Sequence, residues 1–137
     1  MALEELLTEK QARGIAAGVG LSLVAFGALP AVAPGPFARL FGFATPDAAS
    51  ASMMRSLGVR DALMGMGLWS AATHGGKYLP WLLARTLTDG GDTLAVGLAI
   101  AQGKRDPRFI GLGALALGAT ITEAALYAIA RSSKARG

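Results

Sequence analysis

The chain contains no cysteine and a single histidine, His74. The first absence excludes a disulfide framework, thiolate metal ligation and thiol catalysis; the second leaves His74 as a solvated turn residue instead of a metal ligand. Charge is missing from one long stretch: no residue between Arg13 and Arg39 is ionisable, which leaves 25 consecutive uncharged positions. About 20 such residues in a helix cross a hydrocarbon layer of about 30 Å. No phosphate-cradling loop, nucleophile elbow, zinc motif or haem-ligand pair is present, so no cofactor is expected. A basic stripe with interleaved aromatics is missing too. The 13 Lys and Arg, set against 9 Asp and Glu, cluster mostly at segment ends. That distribution fits anionic lipid headgroups and not nucleic acid.

What is present is apolar: 53% of the 137 residues are hydrophobic, and 19 are glycine, about twice the usual share, which membrane helices tolerate. The pattern predicts an all-α integral membrane bundle, one domain over residues 1–137, with four transmembrane helices at about 14–33, 48–73, 79–101 and 107–130. A helix on the surface of a soluble bundle needs a polar face. Residues 109–130 offer only Thr120, Thr122, Glu123 and Tyr127 for one, and would leave too much apolar surface in water.

Helix ends are punctuated. Pro34-Gly35-Pro36 closes the first helix, Thr45-Pro46-Asp47 supplies an N-cap, a first-turn proline and an early acid for the second, and Asp106-Pro107 repeats the signal before the fourth. Between the first two helices Phe37, Leu40 and Phe41 recur at helical spacing beside Arg39, which predicts a short interfacial amphipathic helix. Ala31-Val32-Ala33 resembles a leader-cleavage site, but Pro34 follows it and Glu4, Glu5 and Glu9 spoil a basic leader, so the first helix is expected to be permanent.

An even number of crossings puts both termini and the 74–78 turn on one side. Trp69, Tyr78, Trp81 and Tyr127 then fall near that face as an aromatic belt. Lys10, Arg13, Lys77, Arg131, Lys134 and Arg136 lie on that side against Arg39, Lys104, Arg105 and Arg108 opposite, which favours cytoplasmic termini in a bacterial inner membrane. Gly14 and Gly18, at GxxxG spacing, suggest close helix packing or a homodimer.

Charges inside the spans are the candidate site, because ionisable groups at membrane depth are costly and usually functional. They are Arg55, Arg60 and Asp61 on the second span, Arg85, Asp89 and Asp92 on the third, and Glu123 on the fourth. At about 1.5 Å per residue, Arg60 and Asp92 lie about 21 Å from the shared turn and can pair. Counted from the other turn, Arg85 and Glu123 are level at about 26 Å, and Thr120 is level with Asp89. Arg85, Asp89 and Asp92 form one stripe that must face inward. Arg55 points nearly opposite Arg60 and is expected to reach toward water unless it joins the cluster. With Arg55 included, three guanidiniums face four carboxylates, and the acid left over is expected to hold a proton. Gly90 and Gly91 would loosen the third helix or let a ligand approach the acids.

A protonated acid beside an ionised one is the equipment of proton-transfer catalysis. The expectation is a cofactor-independent enzyme of isomerase, cyclase or epoxide hydrolase type acting on a lipophilic small molecule. Asp89 or Asp92 would serve as acid or base, with Asp61 as partner, Arg60 and Arg85 orienting, and Glu123 and Arg55 in support. The same groups would also serve a small proton-coupled carrier, or act as interhelical glue in a non-catalytic assembly subunit. Arg55-Ser56-Leu57-Gly58-Val59-Arg60-Asp61 followed by Gly65, with Ala84-Arg85 and Asp89-Gly90-Gly91-Asp92, resembles a family of small four-helix membrane proteins of bacteria and fungi without an assigned function, similar in layout to DoxX-like proteins. The resemblance implies the fold and the weight of those positions, not a reaction.

Overall fold

A computed structural model describes residues 7–134, which form five α-helices and no strand. These are α1 (Glu9–Val32), α2 (Pro34–Leu40), α3 (Ala48–Thr73), α4 (Leu79–Ala101) and α5 (Pro107–Lys134). Glu4, Glu5 and Arg136, which entered the leader and side-counting arguments, lie outside the described residues. Two helices are long and apolar enough to cross a membrane, α1 with mean hydropathy 2.0 and α5 with 1.7. The charges of the other two long helices are the ones singled out above.

Local chemistry explains where the helices begin and end. α1 starts at Glu9, ahead of the expected residue 14, because Thr8 and Gln11 form a capping box in which the Thr8 amide donates to Gln11 Oε1 at 2.9 Å. α3 is capped by Asp47, not Thr45: the carboxylate accepts from the Ser50 amide at 2.8 Å and also from the Ser50 hydroxyl, two donors that hold it below the usual carboxylate range. α5 begins at Pro107 with Asp106 Oδ1 accepting from the Arg108 amide at 2.9 Å. α4 closes in a Schellman turn, in which Gly103 takes φ 104° while the Lys104 amide reaches Ala99 O at 3.0 Å.

α1 packs most extensively on α3, and α4 on α5; the two pairs meet through far less backbone contact. The α1/α3 seam is built of glycine. A Cβ on Gly65 would lie 2.6 Å from Gly20 O, and one on Gly27 would lie 2.6 Å from the Ala62 amide nitrogen. Gly20 and Gly27, and their partners Gly58 and Gly65, are each seven residues apart, so they line one face of each helix. Gly14 and Gly18, expected to be the close-packing pair, instead have open space beside them. They are turned away from α3.

Three layers stack along the bundle. At the end where α1 begins and α5 finishes, Ala12, Ala16, Leu68, Ala72, Leu82, Leu126 and Ala130 form an apolar core to which all four long helices contribute. At the other end Phe26, Phe37, Phe41, Phe43 and Phe109 form a chain of ring contacts, with Phe37 and Phe41 4.9 Å apart and Phe43 and Phe109 5.2 Å apart. The face expected on α2 therefore divides, because Phe37 turns inward to these rings while Leu40 is exposed beside Arg39. Between the two ends lies the charge layer.

Outside, the long helices present large apolar side chains: Leu94 is 71% exposed, Leu87 69% and Met53 68%, while Arg85 and Glu123 are each 2% exposed. Arg85, Asp89 and Glu123 inside with large apolar side chains outside reverse the usual distribution in a water-soluble bundle.

Tyr78 departs from the expected aromatic belt and lies in the core, 2% exposed, while Trp69 and Trp81 remain at the surface. Its hydroxyl donates to Glu9 Oε2 at 3.1 Å, and Arg13 stacks over its ring at 4.8 Å while bonding Glu9 Oε1 at 2.9 Å. Arg13 Nη1 also donates to Ala71 O and Gly76 O, at 3.3 and 3.2 Å, so one knot ties the start of α1 to the α3–α4 turn. Burial first, and the Glu9 carboxylate second, push the Tyr78 hydroxyl up to about 12. In the unfolded chain it releases its proton near pH 10. Its contribution to stability is thus full below about pH 10 and is lost as pH rises toward 12. Ultraviolet titration is expected to show one tyrosine ionising near 12, and Tyr78→Phe is expected to abolish that step and flatten the alkaline loss of stability.

Candidate functional site

The middle layer is organised around Arg85, which α4 delivers to the bundle interior. Its Nη1 donates to Asp61 Oδ1 at 3.2 Å, its Nη2 donates to Asp89 Oδ1, and its Nε lies 3.8 Å from Glu123 Oε1. One guanidinium therefore faces carboxylates from α3, α4 and α5. The i, i+4 spacing of Arg85 and Asp89 puts that pair on one face of α4.

Asp61 Oδ1 is the second hub, because Arg60 reaches it through both Nε and Nη2, at 3.0 and 2.9 Å. Arg60 Nη2 also donates to Asp92 Oδ2 at 3.0 Å, across the α3/α4 seam. The pairings expected from depth alone, Arg60 with Asp92 and Arg85 with Glu123, are both present. Arg55 is exposed and joins no ion pair among the described residues. Helical geometry is the reason, since Arg55 lies about 140° around α3 from Arg60 at about 100° per residue. Without it, two guanidiniums, Arg60 and Arg85, face four carboxylates, Asp61, Asp89, Asp92 and Glu123.

The network crosses the bundle from one seam to the other. At the α3/α4 seam the Arg60 and Asp92 side chains are 36% and 45% exposed; at the centre Arg85 and Asp89 are buried. At the far side Glu123 lines a groove of about 260 Å³ between α1 and α5, walled by Val19, Leu23 and Ala119 with Ser22 and Thr122. Among the described residues, two buried side-chain polar atoms lack a hydrogen-bond partner, Arg85 Nε and Glu123 Oε2. At 3.8 Å, Nε and Oε1 are too far apart for a hydrogen bond. Asp89 and Glu123 thus flank the same guanidinium, Asp89 through a hydrogen bond and Glu123 at the longer distance.

Residues 20–130 match the model of a family described as a domain of unknown function, DUF4267. The chain belongs to the DUF4267 family. No curated protein and no solved structure matches it. Every member of the charge layer lies inside the DUF4267 stretch, as do both glycine pairs of the α1/α3 seam, whereas Glu9 and Arg13 of the tyrosine knot precede it.

Thr120 meets Thr93, its hydroxyl 3.3 Å away, while Thr93 donates to the Asp89 carbonyl at 2.7 Å. Beside them a second cavity of about 260 Å³ between α4 and α5 is lined by Val96, Ile100, Ile110 and Leu117 and is almost wholly apolar. Gly90 and Gly91 do not interrupt α4, and only Gly90 has a neighbour, Thr120. Among the described residues no group of three or more His, Cys, Asp or Glu is arranged to hold a metal ion. The groove beside Glu123 was not foreseen from the sequence. Its signal is that Ser22, Thr122 and Glu123 are polar positions in the two helices long and apolar enough to cross a membrane.

Proposed function

We propose that this protein crosses the membrane four times and performs acid–base chemistry on a lipophilic small molecule held in the α1/α5 groove. One observation carries the reading: Glu123 belongs to the buried charge layer, has an oxygen without a partner, and forms part of the wall of an apolar groove. A buried acceptor left unsatisfied costs about 1–3 kcal/mol, which a ligand hydroxyl or a carboxyl proton would recover. Glu123 is therefore the group that exchanges a proton with the ligand, and Asp89 is the second acid of the pair. Arg85 holds both in place. Asp61, Arg60 and Asp92 continue the chain of groups toward the opposite seam.

The reaction class that fits is isomerisation or cyclisation, in which a proton delivered at one carbon is balanced by one removed from another. No co-reactant is then needed. Mass spectrometry of small molecules copurifying from native membranes tests the binding step. Glu123→Gln is expected to carry about tenfold less of the wild-type ligand, equivalent to about 1.4 kcal/mol. Asp89→Asn is expected to keep the ligand but to lose solvent-deuterium incorporation into it. Equal ligand in wild type and Glu123→Gln would remove the groove from the argument.

The line of ion pairs from half-exposed Asp92 to buried Glu123 favours one other reading, a proton-coupled carrier of the same ligand. In that case wild-type protein in vesicles moves the ligand in response to a pH gradient, and no deuterium enters it.

A further inference from the structure

We propose that two copies of this chain pair through their α3/α4 seams, with Arg60 of each copy facing Asp92 of the other. The inference rests on the four-crossing placement, which sets this seam within the hydrocarbon layer. Arg60 and Asp92 lie there at 36% and 45% side-chain exposure, one on each side of the seam. A charge facing lipid at this depth costs about 2.5–3.5 kcal/mol even on insertion scales, so such groups are normally enclosed by protein or water. Among the described residues nothing in a single copy encloses them.

The seam carries its own complement. A twofold axis along the membrane normal sets α3 of one copy against α4 of the other, and an isologous contact of this kind pairs residue i with j and j with i. Arg60 and Asp92 are equidistant from the turn that joins their helices, 14 residues before His74 and 14 after Tyr78, so rotation brings them level with each other's partner. Each guanidinium would then bridge its own Asp61 and Asp92 and the partner's Asp92, and each Asp92 would gain a second cation. The seam also admits a neighbour, because Ser56 and Ala95, one turn from Arg60 and Asp92, are exposed and small. A lipid headgroup does not reach this depth, and a different protein would have no reason to offer the same two charges at the same spacing.

The absence of cysteine makes the test direct. Two differently tagged chains, one with Ser56→Cys and one with Ala95→Cys, are coexpressed and treated in native membranes with a short bifunctional maleimide. The mixed-tag dimer is expected at about fivefold or more the yield given by Ala95→Cys with Gly118→Cys, whose second cysteine lies on the outward face of α5, because proximity sets the local concentration. Both chains are otherwise wild type, so folding is not at issue. Arg60→Asp in every copy, or Asp92→Arg in every copy, is expected to abolish the product. Coexpression of an Arg60→Asp chain with an Asp92→Arg chain is expected to restore it, which an ion pair confined within each copy does not predict. Equal yields for the two cysteine pairs, or an adduct to a different protein, would overturn the pairing. Washing the same membranes with alkaline carbonate separates the two layers of inference. Release of the protein sinks the membrane placement, whereas retention without cross-linking sinks the dimer alone.

Discussion

Arg85→Met is expected to leave little folded protein, because the substitution strips the cation from three carboxylates at once. Asp61, Asp89 and Glu123 would remain enclosed, with Asp89 losing its direct partner and Glu123 losing the nearest positive charge. Removing one member of a buried ion pair costs about 3–5 kcal/mol, most of it the desolvation of the charge left behind. Arg85→Lys is expected to fall between, since an ammonium cannot present the planar fork that reaches Asp61 and Asp89 together. The informative companion is the fully neutral layer, Arg85→Met with Asp61→Asn, Asp89→Asn and Glu123→Gln. Replacing a whole buried ionic group by well-packed hydrophobic side chains is often close to neutral in stability, and the near-isosteric amides likewise leave no unpaired charge behind. Recovery of the folded peak in detergent gel filtration by this variant would show that the charges are kept for chemistry rather than for holding the bundle. Normal folding of Arg85→Met alone would mean that the layer is wetter than its burial implies.

The second large effect is at the glycine seam. A Cβ on Gly58 would fall on the Gly27 carbonyl and 2.6 Å from the Ala31 amide nitrogen, and one on Gly65 would meet Gly20 O at 2.6 Å and Val24 N at 2.8 Å. These are backbone atoms, which cannot rotate aside. Gly58→Ala and Gly65→Ala are each expected to destabilise by about 1–3 kcal/mol, the range for overpacking, by pushing α1 and α3 apart. Gly14→Ala and Gly18→Ala have open space and are expected to be neutral or slightly stabilising, because alanine is the better helix former by about 1 kcal/mol. Thermal aggregation midpoints of the four variants in one detergent compare them directly. A ranking in which Gly14→Ala loses as much as Gly58→Ala would contradict the described packing.

Much of the site could be read from spacing, because helical rise is constant. Arg60 and Asp92 are equidistant from one turn, and Arg85 and Glu123 nearly so from another, and depth matching alone brings each pair together. Arg55 is expected in support of the cluster, yet its angle around the second span, nearly opposite Arg60, already points away from it, and the structure leaves it exposed. The glycine seam was not. Glycine recurs throughout α1, and GxxxG at Gly14 and Gly18 competes with the seven-residue pair Gly20 and Gly27; only the matching pair on α3 decides between them, and that match is a tertiary fact. The tyrosine knot escaped for a similar reason. Glu9 and Tyr78 are 69 positions apart, and neither has a local pattern that points to the other. The cap of α3 at Asp47 instead of Thr45 turned on the extra donor that Ser50 supplies. Grooves depend on how far helices separate, which periodicity does not encode.

The groove beside Glu123 lies between the two apolar ends of the bundle. Ala16 and Leu126 belong to the apolar core on one side of it, Phe26 and Phe109 to the aromatic chain on the other, and Val19, Leu23 and Ala119 lie between. On the four-crossing placement proposed above, a molecule would reach the groove sideways, out of the fatty acyl chains, after first dissolving in them. Potency measured against total dose in water would then track oil–water partitioning as much as fit. Two compounds that bind equally well would rank apart until their amounts are expressed per mole of phospholipid.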